Sequence, residues 1–398
     1  MKVAVVGLWH LGSVTAACLA GGGHDVVGVD FDRATIDGLR AGRAPVSEPG
    51  LDELIAEGLR EKRLAFSDDP GGVAGAEVVW VAYDTPVDAE DRADVDFVIG
   101  AVSRVLPHVA DGALVLVSSQ LPVGSAARLE RMAADTRPEA RIGVGCSPEN
   151  LRLGKALSVF RQPDRVVVGV RRESDRARLT TLLAPFTTRI EWMSVESAEM
   201  TKHALNAFLA TCVSFANEIG ALCEVTGADA KEVERGLKSE SRIGPGAYLG
   251  PGAAFAGGTL ARDLMFLAAL ADEHRRPARL LTAARASNDA HKQWAADRLR
   301  LELGELRGRR IAVWGLTYKP GTDTLRRSSS VELCERLHLD GAIVVAHDPA
   351  VRALPADLQP VMTLAPTAID AARGADALVV STGWPEYREI AAADVVAV

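Results

Sequence analysis

The strongest constraint on the fold is a short motif that occurs near the start of the chain and again near residue 310. Residues 2–8 read KVAVVGL and residues 310–316 read RIAVWGL, each an apolar, β-branched run that ends on Gly-Leu. Short runs of this kind suit parallel strands that are buried on both faces of a sheet. The repetition predicts two separate α/β units, the second beginning at about residue 304.

Strands and helices alternate after each copy of the motif. The first copy is followed by a glycine turn at 7–12, a small-residue helix at 13–20 and a strand at 25–30. Further strands are predicted at residues 77–83, 113–117, 142–145 and 166–170 in the first unit, and at 342–348 and 375–382 in the second, where a helix at 331–341 precedes them. The alternation predicts doubly wound, Rossmann-like sheets in both units.

The middle of the chain has a different pattern. Residues 196–224 lack Gly and Pro except Gly220, and apolar residues recur at helical spacing, which predicts one long helix. Helices are expected to continue to about residue 303, interrupted by a Gly/Pro-rich loop at 243–258. We therefore predict an α/β fold in which two Rossmann-like domains, 1–193 and 304–398, are joined by a central helical domain, 194–303.

Composition excludes some classes of function. The net charge of −8 over 398 residues argues against general binding to nucleic acid or to an anionic membrane. The five cysteines form no CxxC pair, which favours a reduced, cytoplasmic compartment, and we expect no metal site. We expect no signal peptide, and no uncharged apolar stretch is long enough to span a bilayer, so no membrane association is expected.

The first glycine turn resembles a dinucleotide-binding fingerprint. Residues 7–12 read GLWHLG, so the first and third glycines of G-x-G-x-x-G are present and Trp9 takes the place of the second. Asp30 ends the second strand at the distance expected of an acid that binds a ribose 2′-hydroxyl, which favours NAD over NADP. Alternatively, Gly7 and Gly12 only permit close strand–helix packing and Trp9 fills the pyrophosphate cleft.

A series of motifs, taken in order, resembles the UDP-glucose/GDP-mannose dehydrogenase family. Residues 23–52, GHDVVGVDFDRATIDGLRAGRAPVSEPGLD, are similar to the opening segment of that family. Shorter matches follow over nearly the whole chain: Thr85-Pro86, SQLPV at 119–123, SPE at 147–149, QPDR at 162–165, Ala198-Glu199 through Lys202 and Asn206 to Asn217-Glu218, RIGP at 242–245, and Gly315 to Lys319 with Thr322, Asp323 and Arg326. Motifs in this order indicate the fold more strongly than the activity.

The resemblance implies an NAD-dependent oxidation of a nucleotide sugar. Members of the family oxidise a sugar C6 alcohol twice, through an aldehyde and a cysteine thioester, to a carboxylate. The SRIGP segment, 241–245, resembles the UDP-glucose branch, so UDP-glucose and its product UDP-glucuronate are the first expectation. The resemblance also implies a homodimer that pairs through the long central helix and a C-terminal UDP-binding domain.

The resemblance further implies roles for individual residues. Lys202 is expected to stabilise the developing oxyanion, and Asn206, four residues later on the same helix face, to share that oxygen. Glu149 is expected to act as or assist the general base, and Asp263 to orient a water or the lysine. For Lys202 the alternative is a solvated helix charge.

The remaining expected site residues contact cofactor or substrate. The expected cofactor-binding residues are Gly7, Trp9, His10, Leu11, Gly12, Asp30, Thr85, Pro86 and Arg326, although His10 fits a loop or helix-start position as well. The expected substrate-binding residues are Glu149, Leu151, Lys202, Asn206, Arg242, Tyr248, Gly257 and Lys319. Lys319 and Arg326 flank a Gly/Thr turn, which suits a diphosphate, since arginine can bind phosphate through two parallel hydrogen bonds.

One departure from the family pattern concerns the nucleophile. The family reads GFGGSCFxKD where residues 254–263 read AFAGGTLARD, so Thr259 takes the place of the cysteine, and a gapped alignment places Leu260 there. Gln120 likewise replaces the threonine of the family's STVPV. A threonine hydroxyl needs a strong neighbouring base to act as a nucleophile. Cys146 could lie near the cleft, but a buried structural thiol is the favoured interpretation.

The missing cysteine leaves several reactions open. The chain could reach the acid slowly through an aldehyde hydrate. It could carry out a single two-electron oxidation, or an epimerase-type reaction in which NAD is retained. It could also bind a nucleotide sugar without redox chemistry. The survival of Lys202, Asn206, Glu149 and Asp263 favours oxidoreductase activity.

Overall fold

The chain divides into two compact units, Met1–His203 and Ala204–Val398. The computed structural model describes residues 1–88, 93–148, 151–256 and 258–398. Within these residues each unit contains one sheet, and the long central helix begins in the first unit and ends in the second. The division into three domains at 193/194 and 303/304 stays a prediction.

The first unit is built on a sheet that has eight strands in the described part of the chain. The strands are β1 (Lys2–Val6), β2 (Asp25–Val29), β3 (Leu64–Ser67), β4 (Val78–Val81), β5 (Leu114–Val117), β6 (Gly143–Cys146), β7 (Val166–Gly169) and β8 (Ile190–Met193). Their spatial order is β3-β2-β1-β4-β5-β6-β7-β8. The five predicted strands after β1 are confirmed with ends that shift by no more than two residues, whereas β3 and β8 were not predicted.

The doubly wound sheet departs from parallel pairing at one position. The register pairs Cys146 of β6 with Gly169 of β7 in antiparallel orientation, while the other described pairings between strands of this sheet are parallel. Two neighbouring strands can be parallel only if a crossover connection carries the chain back to the end of the sheet at which the first strand began. The connection here contains a six-residue helix, Ala156–Arg161. The chain therefore enters β7 at the end of the sheet where β6 finished, and the two strands run in opposite directions.

Helices cover both faces of this sheet. They are α1 (His10–Gly21), α2 (Arg33–Arg40), α3 (Leu51–Arg60), α4 (Val95–Val105), α5 (Ser125–Thr136), α6 (Ala156–Arg161) and α7 (Glu173–Leu183). Val3 and Val5 of the central strand pack into one hydrophobic cluster, and Ala4 and Val6 pack into another. Because alternate residues of a strand face opposite sides, this arrangement explains why the sequence of β1 is apolar at consecutive positions.

The long helix α8 (Val195–Thr226) confirms the prediction for residues 196–224. It is long and apolar enough to span a bilayer by length and composition alone, which is weak evidence because core helices of soluble proteins pass the same test. Phe208, Phe215 and Leu222 lie seven residues apart on it and are exposed, so they form an apolar stripe along one helix face.

The second unit continues with helices and a smaller sheet. The helices before the sheet are α9 (Ala230–Ser239), α10 (Thr259–Glu273), α11 (Arg279–His291) and α12 (Trp294–Leu303). The remaining elements are β9 (Arg310–Trp314), α13 (Ser329–Leu339), β10 (Ile343–His347), β11 (Thr363–Leu364), α14 (Ala368–Ala372), β12 (Ala377–Val380) and α15 (Ala392–Val396). The described strands pair in parallel in the order β11-β10-β9-β12, which confirms a second Rossmann-like sheet.

Candidate functional site

The turn between β1 and α1 requires both of its glycines. Gly7 has φ of 90°, a conformation that favours glycine, and a Cβ on it would lie 2.6 Å from the Cγ atom of Tyr83. A Cβ on Gly12 would lie 1.6 Å from the carbonyl oxygen of Gly7. The two glycines therefore let the first turn of α1 approach the end of β1, which is the geometry of a dinucleotide cradle.

Asp30 lies at the carboxyl end of β2, next to this turn. Its Oδ2 atom accepts a hydrogen bond from the backbone N–H of Leu8 at 2.6 Å, and its Oδ1 atom accepts one from Asp32 at 3.0 Å. The residue is half-buried. A carboxylate has about four lone-pair positions, so Asp30 can accept further hydrogen bonds from a ribose.

In the second copy of the motif, the acid that corresponds to Asp30 is buried and hydrogen-bonded to the protein itself. Gly315 also has φ of 90°, and Asp348 follows β10 as Asp30 follows β2. Asp348 is buried and accepts hydrogen bonds from the backbone N–H groups of Leu316, Thr317 and Ala350, from the Thr317 hydroxyl, and from the Trp384 indole. Because these donors use the carboxylate internally, only the first copy keeps an acid suited to a ribose.

The residues at the start of α1 have distinct surroundings. Trp9 precedes the helix, makes no side-chain cap, and is 52% exposed. The Nε2 atom of His10 lies 2.9 Å from the Oε2 atom of Glu48, so this histidine begins the helix and contacts a neighbouring loop. The backbone N–H of Leu11 donates to the carboxylate of Asp84 at 3.3 Å.

These features fit an NAD site. The helix start offers backbone donors, the glycines leave room, and Asp30 stands at the expected ribose position. Whether Trp9 fills the pyrophosphate cleft stays an open prediction.

Thr85 and Gln120 meet at the carboxyl edge of the first sheet. The hydroxyl of Thr85 donates to the carbonyl oxygen of Gln120 at 2.8 Å, and both residues are buried, whereas Pro86 is exposed. The contact joins the loop after β4 to the loop after β5. The Thr85 hydroxyl therefore has a structural partner in addition to its expected position near the cofactor.

Gln120 also lines a small cavity in the first unit together with Cys146 and Lys202. The cavity has a volume of about 20 Å³. This volume is enough for about one water molecule. The half-buried Lys202 thus lies beside polar groups at the carboxyl edge of the sheet, which argues against a freely solvated helix charge.

Two side chains on either side of that lysine fix the first turns of α8 to the loop after β5 and the start of α5. Glu199 is buried and accepts hydrogen bonds from the backbone N–H groups of Gly124 and Ala126, both at 2.8 Å. The Nε2 atom of His203 contacts the carbonyl oxygen of Leu121 at 2.9 Å. Burial raises the pKa of the Glu199 carboxyl, and the two backbone donors oppose that shift.

Glu48 is a residue of structural importance to which the sequence assigned no role. Its side chain is almost fully buried and accepts hydrogen bonds from the backbone N–H groups of Gly154 and Ala156, both at 2.8 Å, in addition to the contact with His10. It therefore joins α1 to the start of α6. The only signal in the sequence was its place in the SEPGL segment, 47–51.

In the second unit, Asn206 and Asp263 form a buried pair. Asp263 is 0% exposed, and the side-chain N–H of Asn206 donates to its Oδ2 atom. The sequence placed both residues in the site, and the structure brings them into direct contact. One amide hydrogen of Asn206 is thus used on Asp263, which fixes the orientation of the amide.

Thr259, where the family pattern has a cysteine, is exposed at the first position of α10. It follows Gly258, whose φ is 105°. Cys146 is buried at the end of β6, and its burial raises the pKa of the thiol strongly, so it behaves as a structural thiol rather than a nucleophile.

The remaining expected residues are spread over the loops. Arg242 is exposed and forms an ion pair with Glu240 at 3.1 Å, and Tyr248 is exposed in the following loop. Lys319 and Arg326 lie in the loop between β9 and α13. Leu151 is half-buried and packs against the core of the first unit. The predictions for Glu149 and Gly257 lie outside the described residues.

Comparisons with known proteins decide the family. Three domains of the UDP-glucose/GDP-mannose dehydrogenase family match in order: the NAD binding domain at residues 1–187, the central domain at 196–290 and the UDP binding domain at 312–398. The chain belongs to the UDP-glucose/GDP-mannose dehydrogenase family.

Individual relatives agree with this result. The chain is 36% identical to the UDP-glucose 6-dehydrogenases of Rhizobium meliloti and Pseudomonas aeruginosa, over 98% of its own length and 91% and 89% of theirs. Its structure is similar to a UDP-glucose dehydrogenase of Pyrobaculum islandicum, with 32% identity, a TM-score of 0.91, and coverage of 98% of this chain and 91% of that chain. A UDP-D-ManNAc dehydrogenase of Pyrococcus horikoshii is 26% identical with a TM-score of 0.87, over 99% and 92% of the two chains.

Proposed function

We propose that this chain catalyses the NAD-dependent oxidation of a nucleotide sugar, with UDP-glucose as the first substrate and UDP-glucuronate as the product of the full reaction. The observation that carries the proposal is the occurrence of all three family domains in order, together with 36% identity to UDP-glucose 6-dehydrogenases over 98% of the chain. The sugar identity comes from these relatives and from the SRIGP segment.

The cofactor site is proposed around the first glycine turn. Gly7 and Gly12 shape the turn, the first residues of α1 supply backbone donors, and Asp30 accepts hydrogen bonds from a ribose. The Asp30 carboxylate also repels a 2′-phosphate, which favours NAD over NADP. NAD supplies the hydride acceptor, and the protein supplies position and charge stabilisation.

The chemical roles are proposed for residues on α8 and α10. Lys202 stabilises the oxygen on which negative charge develops, and Asn206 contributes an amide hydrogen to the same oxygen. Asp263 holds the Asn206 amide in one orientation through their buried hydrogen bond. Glu149 acts as or assists the general base.

The substrate end is proposed for the C-terminal domain. Lys319 and Arg326 are cations near the UDP diphosphate, and Arg242 reaches the substrate of a neighbouring subunit in the dimer. Leu151, Tyr248 and Gly257 complete the substrate contacts. The exposed state of Arg242 supports its availability to such a neighbour.

A single two-electron oxidation is the second candidate, and Thr259 favours it. A threonine hydroxyl lacks the nucleophilicity of a thiolate near neutral pH, so the thioester step has no evident nucleophile in the described residues. The first hydride transfer does not need a thiol. Loss of the cysteine therefore affects the second oxidation rather than the first.

We also propose a cytoplasmic homodimer. The stripe of Phe208, Phe215 and Leu222 on α8 exposes large apolar side chains at heptad spacing, which suits pairing with a second copy of the helix. The absence of a CxxC pair in the sequence supports a reduced compartment.

Steady-state formation of NADH from NAD+ and UDP-glucose tests the proposal. We expect turnover by the wild type and a loss of kcat of at least about a hundredfold in Lys202→Ala, because an oxyanion-stabilising group is removed. Lys231→Ala is the matched control, since Lys231 is exposed on α9 and is expected to leave turnover unchanged. Equal rates in the two variants would contradict the role of Lys202, and no NADH from any UDP- or GDP-sugar would contradict the function.

A further inference from the structure

A carboxylate from another loop caps the first turn of α1. The Oδ2 atom of Asp84, in the loop after β4, lies 3.3 Å from the backbone nitrogen of Leu11. Leu11 is the second residue of α1, so its N–H is among the first-turn donors that have no partner within the helix. The helix makes no cap of its own, because Trp9 forms no side-chain hydrogen bond and the first turn contains no acid.

The position of this carboxylate is the one that a cofactor phosphate needs. In a dinucleotide fold the pyrophosphate binds to the backbone donors at the start of the helix that follows the glycine turn. Asp84 therefore places a negative charge where the pyrophosphate has to bind. Asp30 adds a second carboxylate on the other side of the turn, through its hydrogen bond from Leu8.

We propose that the Asp84 carboxylate competes with the pyrophosphate for the start of α1 and so weakens the binding of NAD. The proposal rests on the proposed cofactor site. Binding of the dinucleotide requires the Asp84 carboxylate to leave the backbone N–H of Leu11. The cost of that movement, together with like-charge repulsion, is expressed in the dissociation constant of the cofactor.

The test measures the dissociation constant of NADH by its fluorescence on binding, with no sugar present. Asp84→Asn keeps the shape and a hydrogen-bond acceptor and removes the charge, so we expect it to bind NADH about tenfold more tightly than the wild type. Asp84→Glu keeps the charge and is expected to show no such gain. Asp88→Asn, four residues along the same loop and also exposed, is the matched control and is expected to behave as the wild type.

A second ligand separates charge repulsion from a general change of the pocket. Adenosine lacks the pyrophosphate but is expected to bind in the adenosine part of the same site. Its dissociation constant, measured by calorimetry, is therefore expected to be equal in the wild type and Asp84→Asn. A gain for NADH with no gain for adenosine supports the proposal. An equal gain for both ligands overturns it, because the pyrophosphate would then not be involved.

The failure of this proposal is distinguishable from the failure of the proposed function. If the wild type binds NADH and Asp84→Asn binds it with the same constant, the competition is refuted while the cofactor site stands. If neither protein binds NADH although both are folded by circular dichroism, the cofactor site and the competition are refuted together.

Discussion

Replacement of Glu48 by alanine is expected to destabilise the first unit by about 3 to 5 kcal/mol. Its carboxylate accepts hydrogen bonds from Gly154 and Ala156 and contacts His10. A hydrogen bond to a charged group contributes about 1.5–3 kcal/mol, and a buried donor that loses its partner costs about 1–3 kcal/mol. In the variant the backbone N–H of Ala156 stays buried without a partner, whereas the N–H of Gly154 is exposed and can bind water. The total loss of stability is therefore smaller than the loss of three full hydrogen bonds.

Two measurements test this expectation. Urea unfolding followed by circular dichroism gives the free energy of unfolding, and hydrogen exchange with mass spectrometry gives the protection of the peptide at 154–161. Both should fall in Glu48→Ala, and hydrogen exchange should locate the loss at the start of α6. Glu48→Gln is also expected to be destabilised, because its amide nitrogen would face a backbone donor.

The control is Glu57→Ala, which changes an exposed glutamate on α3 and is expected to alter stability by no more than about 0.5 kcal/mol. Equal stability of Glu48→Ala and Glu57→Ala would refute the assignment of Glu48 as the residue that holds α6 in place.

Three further predictions concern charge and chemistry. Burial raises the pKa of Glu199 above its ordinary value of 4.5, so its contribution to stability is present below that value and lost as the pH rises through the folded-state pKa. When the free energy of unfolding is measured from pH 4.5 upward, Glu199→Gln should therefore lose less stability than the wild type. Parallel pH profiles of the two proteins would contradict this. Asp30→Asn keeps the hydrogen-bond acceptor for Leu8 but removes the charge near the ribose. The ratio of the NADPH to the NADH dissociation constant should therefore fall by about tenfold. An unchanged ratio would exclude Asp30 from ribose recognition. Thr259→Cys places a thiol at the start of α10, where a helix N-terminus lowers a thiol pKa. The variant should be labelled by iodoacetamide at residue 259 and should yield more carboxylate product than the wild type. An unchanged ratio of carboxylate to aldehyde product would show that this position does not supply the nucleophile.

The sequence predicted the parts of the fold that depend on local pattern. β1 and the long helix α8 have continuous or periodic apolar residues, and such patterns report burial directly. The repeat of strand, Gly and Leu predicted the second sheet for the same reason, and the glycines that follow β1 and β9 both have φ of 90°.

Features that depend on tertiary placement were not predictable. The antiparallel entry into β7 is determined by the path of a loop, on which local periodicity carries no information. The roles of Glu48 and Asp84 depend on backbone N–H groups that are far away in sequence and that come near only in the folded chain. Asn206 and Asp263 were both expected in the site from family resemblance, but their direct hydrogen bond needed the structure.

The most direct test of the central claim is the amount of NADH formed per molecule of UDP-glucose when the sugar is limiting, with the product identified by mass. Oxidation of UDP-glucose predicts two equivalents with UDP-glucuronate, or one equivalent with the aldehyde if the loss of the cysteine stops the reaction after the first step. Formation of no NADH from UDP-glucose, or from a panel of UDP- and GDP-sugars that the protein is shown to bind, would contradict the account and leave a protein that binds nucleotide sugars without oxidising them.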